Sequence, residues 1–542
     1  MSNKKVMVIG LDGATWDLMR PLAEKGILPT FKKLMEKSVY GDLESTVPPI
    51  TIPAWISFVT GKNPGKLGCY DFLVARNSLN DLRPITTKDI QAKTFYEILN
   101  ENKKKCILIN LPGSYPPRIK EIVITSLMTQ GENFIFPPEL LDEISDLKNY
   151  RIIYDIPPVE CKNLTNFFKD VREVERNRFK CAKKLFVKEW DLFFLLFSGT
   201  DGIQHRIYST LLSETIDINS DPIKFYKEID GYVKWFVENS PKDTNILIMS
   251  DHGFVGYKNA FFINEWLKKR GYLKLRVKPK NSPGEIEQLS KAKNKKKNLG
   301  IKLPPILLDF LKSLNWLYPI YRKLSKVLPI EIQATIQSES SGTIAYSISH
   351  ADTNFGGIHI NSKKRFSDGI IIQEDYENVR NEIICELKKL KDPETGKKVI
   401  INVWKKEDIY HGSQLRDAPD IIFVLPNKYQ VKSSVSSNKI FNNNTSVFYS
   451  RCNNHALQGI FLAHGPDIKK GVEIQNAKII DLAPTILHLF GMPIPEDMDG
   501  KILKEIFKED GELAKREIKY QKTGKKENVK GKIKELKNAG KI

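Results

Sequence analysis

Residues 192–205 read LFFLLFSGTDGIQH: six apolar residues in a row, the turn formers Ser198-Gly199-Thr200, then Asp201 and, four residues on, His205. A short, wholly apolar run bounded by turn formers is the pattern of a strand buried on both faces, as in a parallel sheet. If the residues after the turn open a helix, Asp201 and His205 stand one turn apart on the same face. A carboxylate and an imidazole so placed form a pair able to ligate a metal. An acid after one strand is weak evidence, because Asp commonly starts a turn or caps a helix.

The signature recurs twice. Lys5 to Leu11 (KVMVIGL) ends at Asp12-Gly13, and Thr244 to Met249 (TNILIM) ends at Ser250-Asp251-His252-Gly253. Ligands of open α/β sheets sit outside the carboxyl ends of the strands, so the three acids are expected to converge. The chain has eight histidines, and two of them fall at these junctions. Mixed Asp/His ligation suits zinc, with manganese or iron also compatible. Helical patterns at 17–24, 29–38, 92–103, 163–189 and 222–238 alternate with the strands. That alternation predicts an α/β fold with a mainly parallel sheet flanked by helices.

A further stretch, Val47 to Asp71 (VPPITIPAWISFVTGKNPGKLGCYD), has prolines at 48, 49 and 53 around a single hydroxyl, Thr51. Prolines fix the backbone there. Read alone, this is a proline loop entering a buried helix from Ala54 to Val59. Read against three acid-tipped strands, Thr51 is the expected nucleophile, with metals brought to it.

A chain of 542 residues is long enough for one large and one smaller domain. Its net charge of +20 is concentrated: Lys274 to Lys302 carries +8 and Lys501 to Ile542 carries +7. The excess therefore belongs to an insertion and a tail, both expected to be solvated. Nucleic acid or anionic membrane is a minor expectation as partner. Cysteines 69, 106, 161, 181, 385 and 452 are scattered without a C-x-x-C pair, which disfavours a zinc ribbon and a disulfide scaffold. No run reaches the roughly 18 apolar residues of a membrane span, and the short apolar opening is not expected to serve as a secretory signal. The expected location is cytoplasmic.

Taken in order, Asp12, Thr51 in its P-x-T-x-P setting with a following T-G-x-x-P, Asp201-x-x-x-His205, Asp251-His252-Gly253 and His455 before GIFLAHGP carry a resemblance. The chain resembles the alkaline phosphatase superfamily, and within it the type I phosphodiesterase/nucleotide pyrophosphatase branch, over about Val6 to Leu503. The resemblance implies two divalent metal ions. It places Asp12, Thr51, Asp251 and His252 on one, and Asp201, His205 and His455 on the other. It implies cleavage of phosphodiester or pyrophosphate bonds through a covalent phosphothreonine. The expected organisation is a core over 1–254 and 451–505, an inserted cap over 255–450, and a basic tail over 506–542. Members of that branch carry an asparagine after the T-G-x-x-P turn that contacts a phosphoryl oxygen. Here the stretch is Cys69-Tyr70-Asp71-Phe72, with Phe72 at that place and Asp71 expected to face away or bind a cation.

A phosphomonoesterase or phosphomutase of the same superfamily is the alternative, and a basic adaptor for nucleic acid or anionic lipid is the rival from another class. A sulfatase needs Cys or Ser in a C/S-x-P-x-R setting, which Thr51-Ile52-Pro53-Ala54-Trp55 lacks. Among other histidines, His455 is preferred over His464 as a ligand. His350, His359, His411 and His488 are expected in structural or solvent roles, and Trp55 and Tyr70 in either core or pocket.

Overall fold

The computed structural model describes residues 4–75, 82–157, 161, 163–213, 217–277, 336–338, 342–348, 352–435, 439–442 and 453–522. Most of the lysine-rich insertion, the amphipathic stretch 303–330 and the last twenty residues therefore lie outside the described residues, as does His350.

The main sheet has nine strands. Its order is Val472–Lys478, Val39–Glu44, Gln458–His464, Thr244–Met249, Lys5–Leu11, Leu192–Phe197, Cys106–Leu111, Ile122–Thr125 and Ile135–Phe136. The three strands with an acid at their ends are neighbours. Lys5–Leu11 lies between the other two and pairs with both in parallel, Leu11 opposite Phe197 and Gly10 opposite Met249. Neighbouring strands stand about 4.8 Å apart, so this register alone brings the three carboxyl ends to one place on the sheet edge. Gln458–His464 is antiparallel to both neighbours, and Ile135–Phe136 is antiparallel to Ile122–Thr125. The sheet is mixed but mainly parallel.

Both faces are covered. On one, Trp16–Glu24, Pro29–Lys37, Thr165–Phe186 and Asp221–Asn239 enclose a core containing Ile9, Phe193, Leu195 and Phe236. On the other, Thr51–Thr60, Phe95–Glu101 and Leu482–Leu489 enclose Val8, Trp55, Phe194 and Leu247. Every residue of Thr51–Thr60 is buried, and Gly61 closes the helix at φ +66°, where a side chain would be strained. Trp55 is fully buried with its ring edge-on to Phe58 and Phe194, so it belongs to the core and not to a pocket. Trp55→Ala is expected to cost about 3–5 kcal/mol of stability, read as a lowered denaturant midpoint; a loss under about 1 kcal/mol would contradict this packing.

A second apolar cluster, around Trp266, Ile358, Ile383, Phe423 and Tyr429, is built from residues 261–431. It holds a four-stranded sheet (Ala345–Tyr346, Phe355–Ile360, Ile421–Val424, Asn402–Lys405) and the helix Gln373–Lys388. Its buried Arg365 is paired with Asp420, which also accepts from Lys406 at 2.8 Å. Tyr410 donates to the Val47 carbonyl (2.5 Å), joining this unit to the proline segment beside Thr51. Packing continues past residue 505, since Phe507 and Leu513 are buried in the main core. Among the described residues no helix is long and apolar enough to cross a membrane.

Candidate functional site

Each strand end is tied to its neighbours by polar side chains. The Asp12 amide donates to the Phe197 carbonyl (3.0 Å), which carries the parallel ladder one residue past the strand. Thr200 Oγ1 donates to the Asp12 carbonyl (2.6 Å) and Gln204 Nε2 to the Gly13 carbonyl (2.8 Å). Gly13 sits at φ +66°, and a Cβ there would meet the Phe254 ring at 2.6 Å, so only glycine turns the chain this tightly. Asp201 and His205 lie in the first two turns of the helix Gly199–Leu211, one turn apart as the spacing predicts.

His455 arrives from far along the chain. Its strand, Asn453–Ala456, pairs antiparallel with Gly253–Gly256, setting His455 opposite Phe254. Tyr257 donates to the His455 carbonyl (2.9 Å). The rings of His252 and His455 stack with centroids 3.5 Å apart.

The three imidazoles share one arrangement. Nδ1 of His205 lies 3.2 Å from the Asn453 carbonyl, Nδ1 of His252 lies 3.1 Å from the Gly253 carbonyl, and Nδ1 of His455 lies 3.0 Å from the Pro49 carbonyl. A carbonyl only accepts, so each Nδ1 carries the proton and each Nε2 is turned inward, the orientation of metal-ligating histidines. His205 and His455 Nε2 are 3.1 Å apart, and lie 3.2 Å and 3.3 Å from Asp201 Oδ1. His252 Nε2 lies 3.3 Å from Asp251 Oδ2, 3.6 Å from Asp12 Oδ1 and 3.3 Å from Thr51 Oγ1.

Asp12 Oδ1, Asp201 Oδ1 and Asp251 Oδ2 are buried and accept no well-aligned hydrogen bond. Buried charge of this kind is costly unless it is paired or coordinates a metal. Burial, reinforced by the charges of Asp251 and Asp201, holds the Asp12 carboxyl far above its usual range. Burial likewise pushes Asp251 up to about 8. Burial opposes ionisation of Asp201 too, but His205 and His455 outweigh it and hold that carboxyl well below its ordinary value. One donor atom from each of Asp201, His205 and His455 lies within 4.8 Å of the others, and the same holds for Asp12, Asp201 and His252. These residues fit divalent metal ions, and Asp201 reaches both groups.

All seven residues singled out from the sequence are thus gathered in one place. Asp12, Thr51, Asp201, His205 and His455 line a cavity of about 180 Å³, with Asp251 and His252 fully buried beside Thr51. Thr51 opens its helix, so the amides of Thr51 and Ile52 have no partner within the helix, and its N-terminus, beside the cavity that Thr51 lines, favours an anion. Phe72 lines this cavity, whereas Asp71 lines a separate one with Tyr70, Tyr346 and Arg365, and so faces away from Thr51. Tyr70 packs at a tilt against Tyr410 and donates to the Gln414 carbonyl, outside the Thr51 cavity. His464 contacts Ser38 on the sheet, His359 is buried beside Arg365, His411 pairs with Asp499 and His488 contacts the Leu513 carbonyl.

The rest of the cavity wall is Ser126, Leu127, Ile152, Ile153, Tyr154, Ser198 and Asn454. Sequence reading missed these. Most lie in loops without periodicity, and the one available signal was Asn454, the residue next to His455. Its Oδ1 accepts the His455 amide at 2.8 Å, which leaves the amide nitrogen to donate.

Comparison with known proteins gives three findings. The model of the family described as "Type I phosphodiesterase / nucleotide pyrophosphatase" matches residues 6–460. Phosphonoacetate hydrolase from Sinorhizobium meliloti 1021, solved with phosphonoacetate, is 12% identical at a TM-score of 0.52, covering 90% of this chain and 95% of its own; this likeness shows the fold. Murine ectonucleotide pyrophosphatase/phosphodiesterase 5 is 14% identical at a TM-score of 0.46, with the same coverage of 90% and 95%. No curated protein matches the chain.

Proposed function

The chain belongs to the type I phosphodiesterase/nucleotide pyrophosphatase family of the alkaline phosphatase superfamily, hydrolases acting on phosphoric ester bonds, and from that premise we propose that it cleaves a phosphodiester or pyrophosphate bond through a covalent intermediate on Thr51. The observation that carries the proposal is the position of Thr51 Oγ1. It sits at the start of a buried helix, 3.3 Å from His252 Nε2, in the cavity shared with Asp12, Asp201, His205 and His455.

Thr51 Oγ1 attacks phosphorus as the bond to the leaving oxygen breaks, giving a phosphothreonine, or a threonine phosphodiester when the substrate is a diester. Water then forms the new P–O bond as the bond to Thr51 breaks, and the hydroxyl is restored. Asp12, Thr51, Asp251 and His252 would hold one divalent ion, and Asp201, His205 and His455 the other, with Asp201 also near enough to the Asp12 and His252 donors to serve the first and zinc favoured by the donor set. Bound there, such ions supply the Lewis acidity that ionises an otherwise weakly acidic hydroxyl and offsets phosphoryl charge. The first-turn amides of Thr51–Thr60 favour the same anion. The unit built from residues 261–431 acts as a cap that selects substrate. Scattered cysteines, free wherever they are described, fit a reducing, cytoplasmic setting.

Chelation is expected to abolish hydrolysis of bis-p-nitrophenyl phosphate and zinc to restore it, with kcat/KM at least about ten-fold above that for p-nitrophenyl phosphate. A preference for the monoester would favour the phosphomonoesterase alternative. Because Asp12 and Asp251 are held above their ordinary values in the metal-free protein, zinc must displace protons, so its affinity should fall as pH drops below about 8.

Phe72 occupies the place of the family's phosphate-contacting asparagine and offers no hydrogen bond. Asn454 stands in for it from the opposite end of the sequence. Asn454→Ala is expected to raise KM for the diester about five- to twenty-fold, in line with a lost hydrogen bond to a charged group. An unchanged KM would remove Asn454 from the substrate contacts.

A further inference from the structure

Behind the site, the helix Thr165–Phe186 carries an ion pair sealed from solvent: Glu175 is 1% exposed and Arg178 is 0% exposed. Glu175 Oε1 accepts the amides of Gly199 (2.7 Å) and Ser198 (2.9 Å) and the Ser198 hydroxyl (3.3 Å). Those residues begin the helix that presents Asp201 and His205. The other carboxylate oxygen meets Arg178 Nη1.

Arg178 reaches onward. Nη1 also donates to Ser198 Oγ (3.2 Å), Nε to the Tyr150 hydroxyl (3.1 Å), and Nη2 to the carbonyls of Ile152 (2.7 Å) and Arg151 (3.4 Å). Ile152, Ile153, Tyr154 and Ser198 form one side of the Thr51 cavity. One buried pair therefore holds both the first turn of the ligand helix and the wall that faces it.

Burying two charges is seldom the most stabilising choice, since apolar residues of similar volume often serve as well. A network whose partners are backbone amides of one segment and backbone carbonyls of another does what an apolar filler cannot, which is to fix their relative positions. A carboxylate at a helix N-terminus is also favoured by the helix dipole. We propose that Glu175 and Arg178 are positioning residues. Glu175 sets the placement of Asp201 and His205 through the helix they occupy, and Arg178 sets the Tyr150–Tyr154 wall of the substrate cavity. This inference rests on the two-metal reading given above.

The test uses the full chain. Zinc affinity of the metal-free protein is measured by competition with a chromophoric chelator, together with thermal unfolding and with KM and kcat for bis-p-nitrophenyl phosphate. Glu175→Met combined with Arg178→Met removes both charges and keeps the volume. It is expected to unfold cooperatively but to bind zinc at least about ten-fold more weakly, the usual scale for groups that orient metal ligands. Arg178→Lys keeps a charge opposite Glu175 but loses the fork that reaches Tyr150 and Ile152. It is expected to hold zinc within about three-fold of wild type and to raise KM about five-fold or more, with kcat little changed. Wild-type zinc affinity and KM in both variants would overturn the positioning role. If the double variant fails to fold, the lysine variant decides alone, and an unchanged KM overturns the proposal. A wild-type protein that binds no zinc would instead overturn the two-metal reading itself.

Discussion

Replacing Thr51 by alanine is expected to lower turnover of a phosphodiester by at least about 10³-fold while leaving zinc content and unfolding temperature close to wild type. The asymmetry follows from where the side chain sits. Thr51 Oγ1 has one imidazole nitrogen within hydrogen-bonding range, His252 Nε2 at 3.3 Å. Six other residues bring the carboxylate oxygens and ring nitrogens that would hold the ions. Removing one hydroxyl and one methyl from the first turn of a helix also leaves its backbone in place, since alanine is a better helix former than threonine. Activity should vanish without loss of metal. Thr51→Ser, which keeps the oxygen, should retain measurable turnover. A folded alanine variant with wild-type kcat would remove Thr51 from the chemistry, and an inactive one stripped of both ions would recast it as a ligand first.

Asp201→Asn is expected to behave in the opposite way, losing metal and activity together. Its carboxylate is the one shared between the two candidate groups, 3.2 Å from His205 and 3.3 Å from His455 on one side and within 4.8 Å of the Asp12 and His252 donors on the other. Zinc content should fall below one ion per chain, against two in the wild type, and kcat/KM by at least about 10²-fold. His455→Ala, which belongs to one group only, should keep about one ion. Metal analysis of the three variants side by side separates the roles: two ions with Thr51→Ala, about one with His455→Ala, and almost none with Asp201→Asn. If Asp201→Asn retains two ions, Asp201 does not join the two groups.

What could be read from the residues alone was whatever is written contiguously. The strands Lys5–Leu11, Leu192–Phe197 and Thr244–Met249 are buried almost throughout, so they appear as unbroken apolar runs with an acid at the end. Asp201 and His205 were legible as a pair because helical spacing is a local property. The strands Val39–Glu44 and Val472–Lys478 were missed, because only some of their residues are buried and VYGDLE and VEIQNAK show no apolar run. Trp55 could not be assigned to core or pocket until the packing of Phe58 and Phe194 around it was seen. Nor could Asp201 be placed in both ligand groups, since that depends on the angle at which its helix leaves the sheet. The wall from Ile152 to Tyr154 lies in irregular chain, where neither periodicity nor capping marks a functional residue.

Phe72 ties the sequence to the substrate. It lines the Thr51 cavity together with Asn454 and stands where the resemblance expects an asparagine, so the proposal assigns the contact to the phosphoryl group to Asn454. Restoring the family residue with Phe72→Asn should therefore lessen the effect of Asn454→Ala, since the two amides would then serve the same oxygen.

The most direct test of the central claim is to mix metal-loaded protein with bis-p-nitrophenyl phosphate, quench in acid during steady turnover, and map the digested chain by mass spectrometry. A p-nitrophenylphosphoryl group on the peptide containing Thr51, localised to that hydroxyl and absent from Thr51→Ala, is the expected result. Rapid turnover with no adduct on Thr51, or an adduct on another residue, would contradict it.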